Sequence, residues 1–146
     1  MKRFFPILLV LVFALSACSD TTGYAGKYTG TFTFIKDSKT KEGSVRMTNN
    51  PLAQNGLLLY GILPLTSTST TGSYQASSEN GEFIGQILET IIGNSNYINT
   101  AEEAVKNIKI DATFTGKTLN MDVYYEIQIL NSLQTRVEII KFTGSK

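Results

Sequence analysis

The chain has no histidine, no tryptophan, one cysteine and three prolines in 146 residues. Without histidine there is no Ser-His-Asp or Cys-His catalysis, no imidazole general base, and no His-ligated zinc or haem. A single cysteine allows no disulfide within the chain and no thiolate metal cluster. Missing tryptophan removes the usual stacking platform for sugars, which seven tyrosines replace only in part. Charge of neither sign dominates, with 13 Lys+Arg against 12 Asp+Glu. No basic run or stripe follows a phosphate backbone, which argues against nucleic-acid binding. Neither a Gly-rich phosphate loop nor an Asp-x-Asp-x-Asp-Gly calcium loop occurs. No cofactor or metal is implied. An enzyme would have to work with carboxylate, lysine, serine or tyrosine alone, so a non-enzymatic protein is expected.

What is present begins at the N-terminus. Lys2 and Arg3 precede an apolar stretch from Phe4 to Leu15, then Ser16, Ala17 and Cys18. A positive n-region, an apolar h-region and small residues at the end are the parts of a secretory signal. The stretch is shorter than the ~20 residues a spanning helix needs. Leu15-Ser16-Ala17-Cys18 resembles the lipobox of bacterial lipoproteins. The resemblance implies cleavage after residue 17, diacylglycerol on Cys18 and an acylated N-terminus. Two or more acyl chains hold a protein stably on a membrane. Ser19 after the cysteine implies the outer membrane, facing the periplasm or the outside. Loss of Lys2 and Arg3 would leave 11 basic and 12 acidic side chains. The expected organisation is a signal peptide at 1–17, a lipidated stem at 18–26 and one domain at 27–146.

Alternation dominates the domain. Tyr28, Phe32 and Phe34 share one face with Gly30, and Thr29, Thr31 and Thr33 share the other. Period-two patterning with aromatic and β-branched residues marks a half-buried strand. A charged turn is expected over 36–43, a return strand over 44–48 and a loop at Asn49-Asn50-Pro51. The apolar run 56–63 reads as one strand buried on both sides. The Ser/Thr-rich segment 66–80 reads as a loop or irregular hairpin around Gly72. Phe83, Ile84, Ile87, Leu88, Ile91 and Ile92 recur at helical spacing opposite Glu82, Gln86 and Glu89. They predict an amphipathic helix capped by Gly93, either packed on a sheet or closing a barrel end, or else a mobile lid over a cavity. Thr100 to Glu103 fits a capping box opening a helical turn to Lys106. Strands follow at 108–114 and 118–130, with a turn at Gly116-Lys117. Asn131-Ser132 is expected as a two-residue turn. In 134–143 the apolar phase switches between Val137/Ile139 and Ile140/Phe142, which predicts a bulge or a segment buried on both sides. Seven or eight hairpin-linked strands favour a closed antiparallel barrel, with a β-sandwich as alternative.

Ala25-Gly26-Lys27-Tyr28-Thr29-Gly30-Thr31-Phe32 and Ile140-Lys141-Phe142-Thr143-Gly144 resemble the opening and closing strands of calycin-like, or lipocalin-like, bacterial lipoproteins. Phe114-Thr115-Gly116-Lys117-Thr118-Leu119 fits the meander between them. The resemblance implies an eight-stranded barrel over most of the domain. The helical stripe departs from a pure meander.

Charged groups offer little chemistry. Glu102 and Glu103 diverge on a helix and suit its first turn. Asp122 and Glu126 lie ~13 Å apart along a strand, too far for a glycosidase pair. Tyr124 on that polar face is a candidate for contact with a partner or glycan. The ligand-binding candidates are Tyr28, Phe32, Phe34 and Tyr125, if the barrel encloses a cavity. The expected function is a lipid-anchored envelope protein whose barrel binds a small apolar ligand. The alternative is a protein-interaction module, an envelope-complex accessory or inhibitor, with a filled barrel and contacts through 66–80.

Overall fold

A computed structural model describes residues 23–93 and 102–146. The expected signal, Cys18, Thr100 and Ala101 lie outside the described residues. Eight strands run in chain order: β1 Gly26–Phe34, β2 Lys39–Asn49, β3 Leu57–Leu59, β4 Leu63–Ser67, β5 Ser73–Ser78, β6 Glu103–Thr115, β7 Thr118–Ile129 and β8 Thr135–Ser145. Each pairs antiparallel with the next, and β8 returns to β1 in register from Thr29↔Ser145 to Phe34↔Ile140. The molecule is therefore an up-and-down barrel and not a sandwich. Among the described residues one helix, α1, spans Gly81–Ile92 between β5 and β6.

The alternation maps directly onto the wall. Tyr28 and Phe32 of β1, Val45 and Met47 of β2, and Leu119 to Ile127 at every second position of β7 are buried. The intervening threonines, Asn120 and Lys109 face out. Across β2, β1 and β8 the register sets Gly43, Gly30 and Gly144 side by side on the inner face. The missing side chains make room for rings. A Cβ at Gly43 would sit 2.8 Å from Phe32 Cε2, and one at Gly144 would collide with the Phe142 ring. Phe32 and Phe142 then pack with centroids 4.7 Å apart.

Helix α1 follows from its stripe. Asn80 caps it, its side-chain oxygen accepting the N–H of Glu82 at 3.0 Å and of Phe83 at 3.4 Å. Gly93 ends it at φ 78°, donating its N–H to Glu89 O at 2.7 Å. Ile84, Ile87, Leu88 and Ile91 are fully buried in the same core as the inward residues of the barrel. Burying each contributes roughly 1.5–3 kcal/mol. The helix begins just after β5 and ends beside Lys41 of β2. Those strands stand three strand spacings apart, ~14 Å, and twelve residues of helix reach ~18 Å. β3 and β4, at three and five residues, leave this side of the wall low. The helix crosses at that end and buries its apolar stripe in the barrel core.

Five local expectations are corrected. The turn after β1 is only 35–38, since the charged residues Lys39 to Glu42 already pair with β1. The run 56–63 is two strands, because Tyr60 and Gly61 take positive φ (53° and 72°) and reverse the chain. Residues 103–106 are the start of β6 and not a helical turn, paired with 127–129 of β7. The β7–β8 connection is the longer loop 130–134. The bulge lies in β6, between Val105 and Asn107, while β8 is regular. Its apparent phase change comes from Glu138, which faces inward in the row of Ile140 and Phe142. The segment 66–80 is chiefly the β4–β5 hairpin, turning at Gly72 with φ 76°.

Candidate functional site at the barrel mouth

The two ends of the barrel differ in chemistry. At the end holding Gly26 and Ser145, an aromatic group closes the interior. Tyr24 stacks on Phe114 at 4.7 Å, Tyr74 meets both edge-on, and Tyr28 lies 5.6 Å from Phe114. Tyr28 donates its hydroxyl to Tyr24 O at 2.7 Å. Lys146 spans the opening, donating to Gly23 O at 2.7 Å and Ala25 O at 2.9 Å with its ammonium over the Tyr28 ring. Tyr24, assigned to the stem from sequence, thus packs into the domain. Burial, then the neighbouring Tyr24, pushes the Tyr28 hydroxyl pKa up.

The opposite end holds the β1–β2 turn, the β7–β8 loop and α1. There a cavity of about 300 Å³ remains between the β1–β2 hairpin, the last turn of the helix and the inner faces of β7 and β8. Phe34, Ile92 and Tyr125 give it apolar surface, and Lys36, Asp37, Lys39, Lys41 and Glu138 give it charge. Each element supplies its residue for a reason of register. Phe34 and Tyr125 are the last inward aromatics of β1 and β7, and Lys39 and Lys41 occupy inward positions where β2 rises past the core. Lys41 reaches the helix end and donates to Ile91 O at 3.3 Å and Ile92 O at 3.1 Å. A cation on the final carbonyls opposes the negative end of the helix dipole.

Glu138 organises the wall of the cavity. It is 8% exposed, accepts the Tyr125 hydroxyl at 2.7 Å and the Arg136 Nε–H at 3.0 Å, and lies 3.4 Å from Lys36 Nζ. Arg136 also forks onto both carboxylate oxygens of Glu103, tying the mouth ends of β6 and β8 together across β7. Burial pushes the Glu138 carboxyl up, but the bonds from Tyr125 and Arg136 with the charge of Lys36 outweigh it and hold the pKa below the ordinary value. The Arg136 bond likewise lowers the Glu103 carboxyl. Glu103, Arg136, Glu138 and Lys36 sum to zero charge, so Lys39 and Lys41 against Asp37 leave the rim positive.

The four sequence candidates divide. Phe34 and Tyr125 line the mouth cavity. Phe32 packs on Phe142 below it, and Tyr28 belongs to the aromatic group at the far end. Sequence reasoning missed Glu138, Arg136 and the three lysines. An acidic residue in the apolar row of a strand was the available signal. On the outer face, Tyr124 donates to Asp122 Oδ2 at 3.3 Å, and Asn107 donates to Glu126 at 2.7 Å. Lys141 pairs with Asp122 at 3.6 Å. These carboxylates belong to cross-strand ladders. Among the described residues no three acidic, His or Cys side chains gather to hold a metal, and no helix is long and apolar enough to cross a membrane.

Compared with protein-family models, curated proteins and solved structures, the chain matches none of them.

Proposed function

We propose that this protein is a lipid-anchored bacterial envelope protein whose barrel takes a small, largely apolar ligand at the mouth beside α1. The observation that carries the ligand reading is the cavity between Phe34, Ile92 and Tyr125 at the mouth of the barrel. Its volume of about 300 Å³ is at the small end of ligand pockets. An apolar floor under a rim with excess positive charge suits a compact molecule with an apolar body and one acidic end. The helix here acts both as packing and as one wall of the site. The anchor reading rests on the lipobox pattern at Cys18. No catalytic role is proposed.

The test is native mass spectrometry of the protein purified from the cell envelope, beside an Ile92→Trp variant. Ile92 is half-buried on the cavity wall, and an indole there would occupy much of the space. The expected result is a discrete small-molecule adduct on the parent protein that is absent from Ile92→Trp. A bare parent mass, together with no binding of added decanoate, would overturn the reading. The cavity would then be a packing void, leaving a barrel that works through protein contacts.

A further inference from the structure

β2 is eleven residues long, but its neighbour β3 is three, and they pair only at Met47↔Leu59, Thr48↔Leu58 and Asn49↔Leu57. The Tyr60 N–H extends the ladder by one bond, to Arg46 O at 2.9 Å. Above that point no strand among the described residues lies beside that side of β2. Backbone groups of successive residues in an antiparallel strand point to alternate sides. The Arg46 and Ser44 carbonyls both point to the β3 side, since Tyr60 binds each of them, its hydroxyl reaching Ser44 O at 3.1 Å. By the same alternation the N–H and C=O of Glu42 and Thr40, and the N–H of Ser44, point into the gap. Among the described residues none of these backbone groups has a partner on that side.

The gap is roomy. An open depression of about 930 Å³ runs along it, bounded by Lys41, Gly43, Ser44, Arg46 and Tyr60 and by Thr90 and Ile91 of the helix. The charged side chains lining it are all basic, while Glu42 stands exposed on the same edge outside that lining. Lys27 and Arg46 stand directly opposite each other on β1 and β2, both exposed, and both border the depression with Lys41. Like charges opposed across a ladder cost stability, and no carboxylate lines the depression.

We propose that the free edge of β2 at residues 40–44 is a docking strip for an extended acidic segment of a partner protein, which adds to the barrel as a further strand. Main-chain bonds to Thr40, Glu42 and Ser44 supply the attachment, as in other strand additions. Lys27, Arg46 and Lys41 select for acidic side chains. A second copy of this chain is a poor occupant. Two-fold pairing of the edge centred on Thr40, Lys41 or Glu42 sets Lys39 against Lys41, Lys41 against Lys41 or Glu42 against Glu42. The strip shares Thr40 and Lys41 with the lining of the mouth cavity, but its main-chain attachment does not depend on a ligand there.

The test uses the full chain, ¹⁵N-labelled in detergent, with a short peptide alternating valine and glutamate and its valine–lysine counterpart. Amide hydrogen exchange is followed residue by residue. The glutamate peptide is expected to slow exchange at Thr40, Glu42 and Ser44 at least tenfold, and the lysine peptide to leave it unchanged. Glu42→Pro removes one outward N–H, and Arg46→Glu reverses an exposed charge without touching the backbone. Each should weaken glutamate-peptide binding about tenfold or more. Protection by both peptides alike, or by neither, would overturn the proposal. So would protection that rises with protein concentration alone, which would mark a self-pairing edge. Binding of the basic groove to phosphatidylglycerol vesicles without amide protection, together with failure of the glutamate peptide, would mark it instead as a lipid contact.

Discussion

Arg136 holds the mouth together, and its replacement by methionine gives a graded test. The guanidinium donates Nε–H to Glu138 at 3.0 Å and forks onto Glu103. Methionine keeps most of the aliphatic stem and removes every donor. Breaking a fully buried ion pair from one side costs about 3–5 kcal/mol. Glu138 is buried, but Arg136 is 36% exposed and Lys36 remains 3.4 Å from the orphaned carboxylate. Water and lysine together reduce the loss to about 2 kcal/mol. For a domain of this size that is a fall in Tm of about 8 °C at pH 7. The pH dependence has a definite sign. The folded Glu138 carboxyl lies below its unfolded value of ~4.3. Its stabilisation is therefore complete above that value and is lost as pH falls through the folded pKa. Without Arg136 two of the influences that lower this carboxyl are gone, so its pKa lies higher in the variant than in the parent, and acid weakens the variant less. The gap in Tm should shrink steadily below pH 4.5, and it should also shrink at pH 7 in a Glu138→Gln background. Calorimetry on the four proteins measures it. An equal loss at pH 7 and pH 3, or a loss in the Glu138→Gln background as large as in the parent, would refute the account of the mouth.

Leu88→Ala should cost about 3 kcal/mol in urea unfolding, because Leu88 is fully buried between helix and barrel and the fixed wall cannot collapse onto the space. Gly30→Ala should open the β1–β8 seam, since its Cβ would overlap the Thr143 carbonyl. Faster amide exchange along Thr29 to Phe34 than along β7 is the readout, and an unchanged pattern would show that the strands can part without cost. Cys18→Ala should release the protein from membranes, and unchanged membrane fractionation would refute the anchor.

Strands with one wet face were legible because their side chains sort by parity: β1, β7 and the 108–114 part of β6 follow that rule without exception. The rule fails where a position obeys parity but not polarity. Lys39 and Lys41 face inward above the core, so the start of β2 reads as a turn. Glu138 faces inward because Tyr125, Arg136 and Lys36 satisfy it, and its charge disguises a regular strand as a bulged one. Tyr60 at φ 53° has no composition signal at all, since a tyrosine gives no warning of a reversal. The capping-box pattern at 100–103 misleads for a different reason: Glu103 is held by Arg136, 33 residues away, and a distant ion pair outranks a local propensity. The mouth site was half visible. Its aromatic floor follows the strand pattern, whereas its charged rim depends on where a turn, a helix end and two strands converge.

The seam between β1 and β8 has a consequence for the order of assembly. Thr29 pairs with Ser145, so the strand made first needs the strand made last. Contacts of such sequence separation form slowly. Until β8 exists, β1 and β7 both present bare edges, and each is a template for wrong pairing. Threonines on β1 and the Asn120, Asp122, Tyr124 and Glu126 row on β7 keep the outer faces of these waiting edges wet. The growing chain is thus most vulnerable to aggregation just before its final strand arrives, and a chaperone acting on it would find its longest-lived target there.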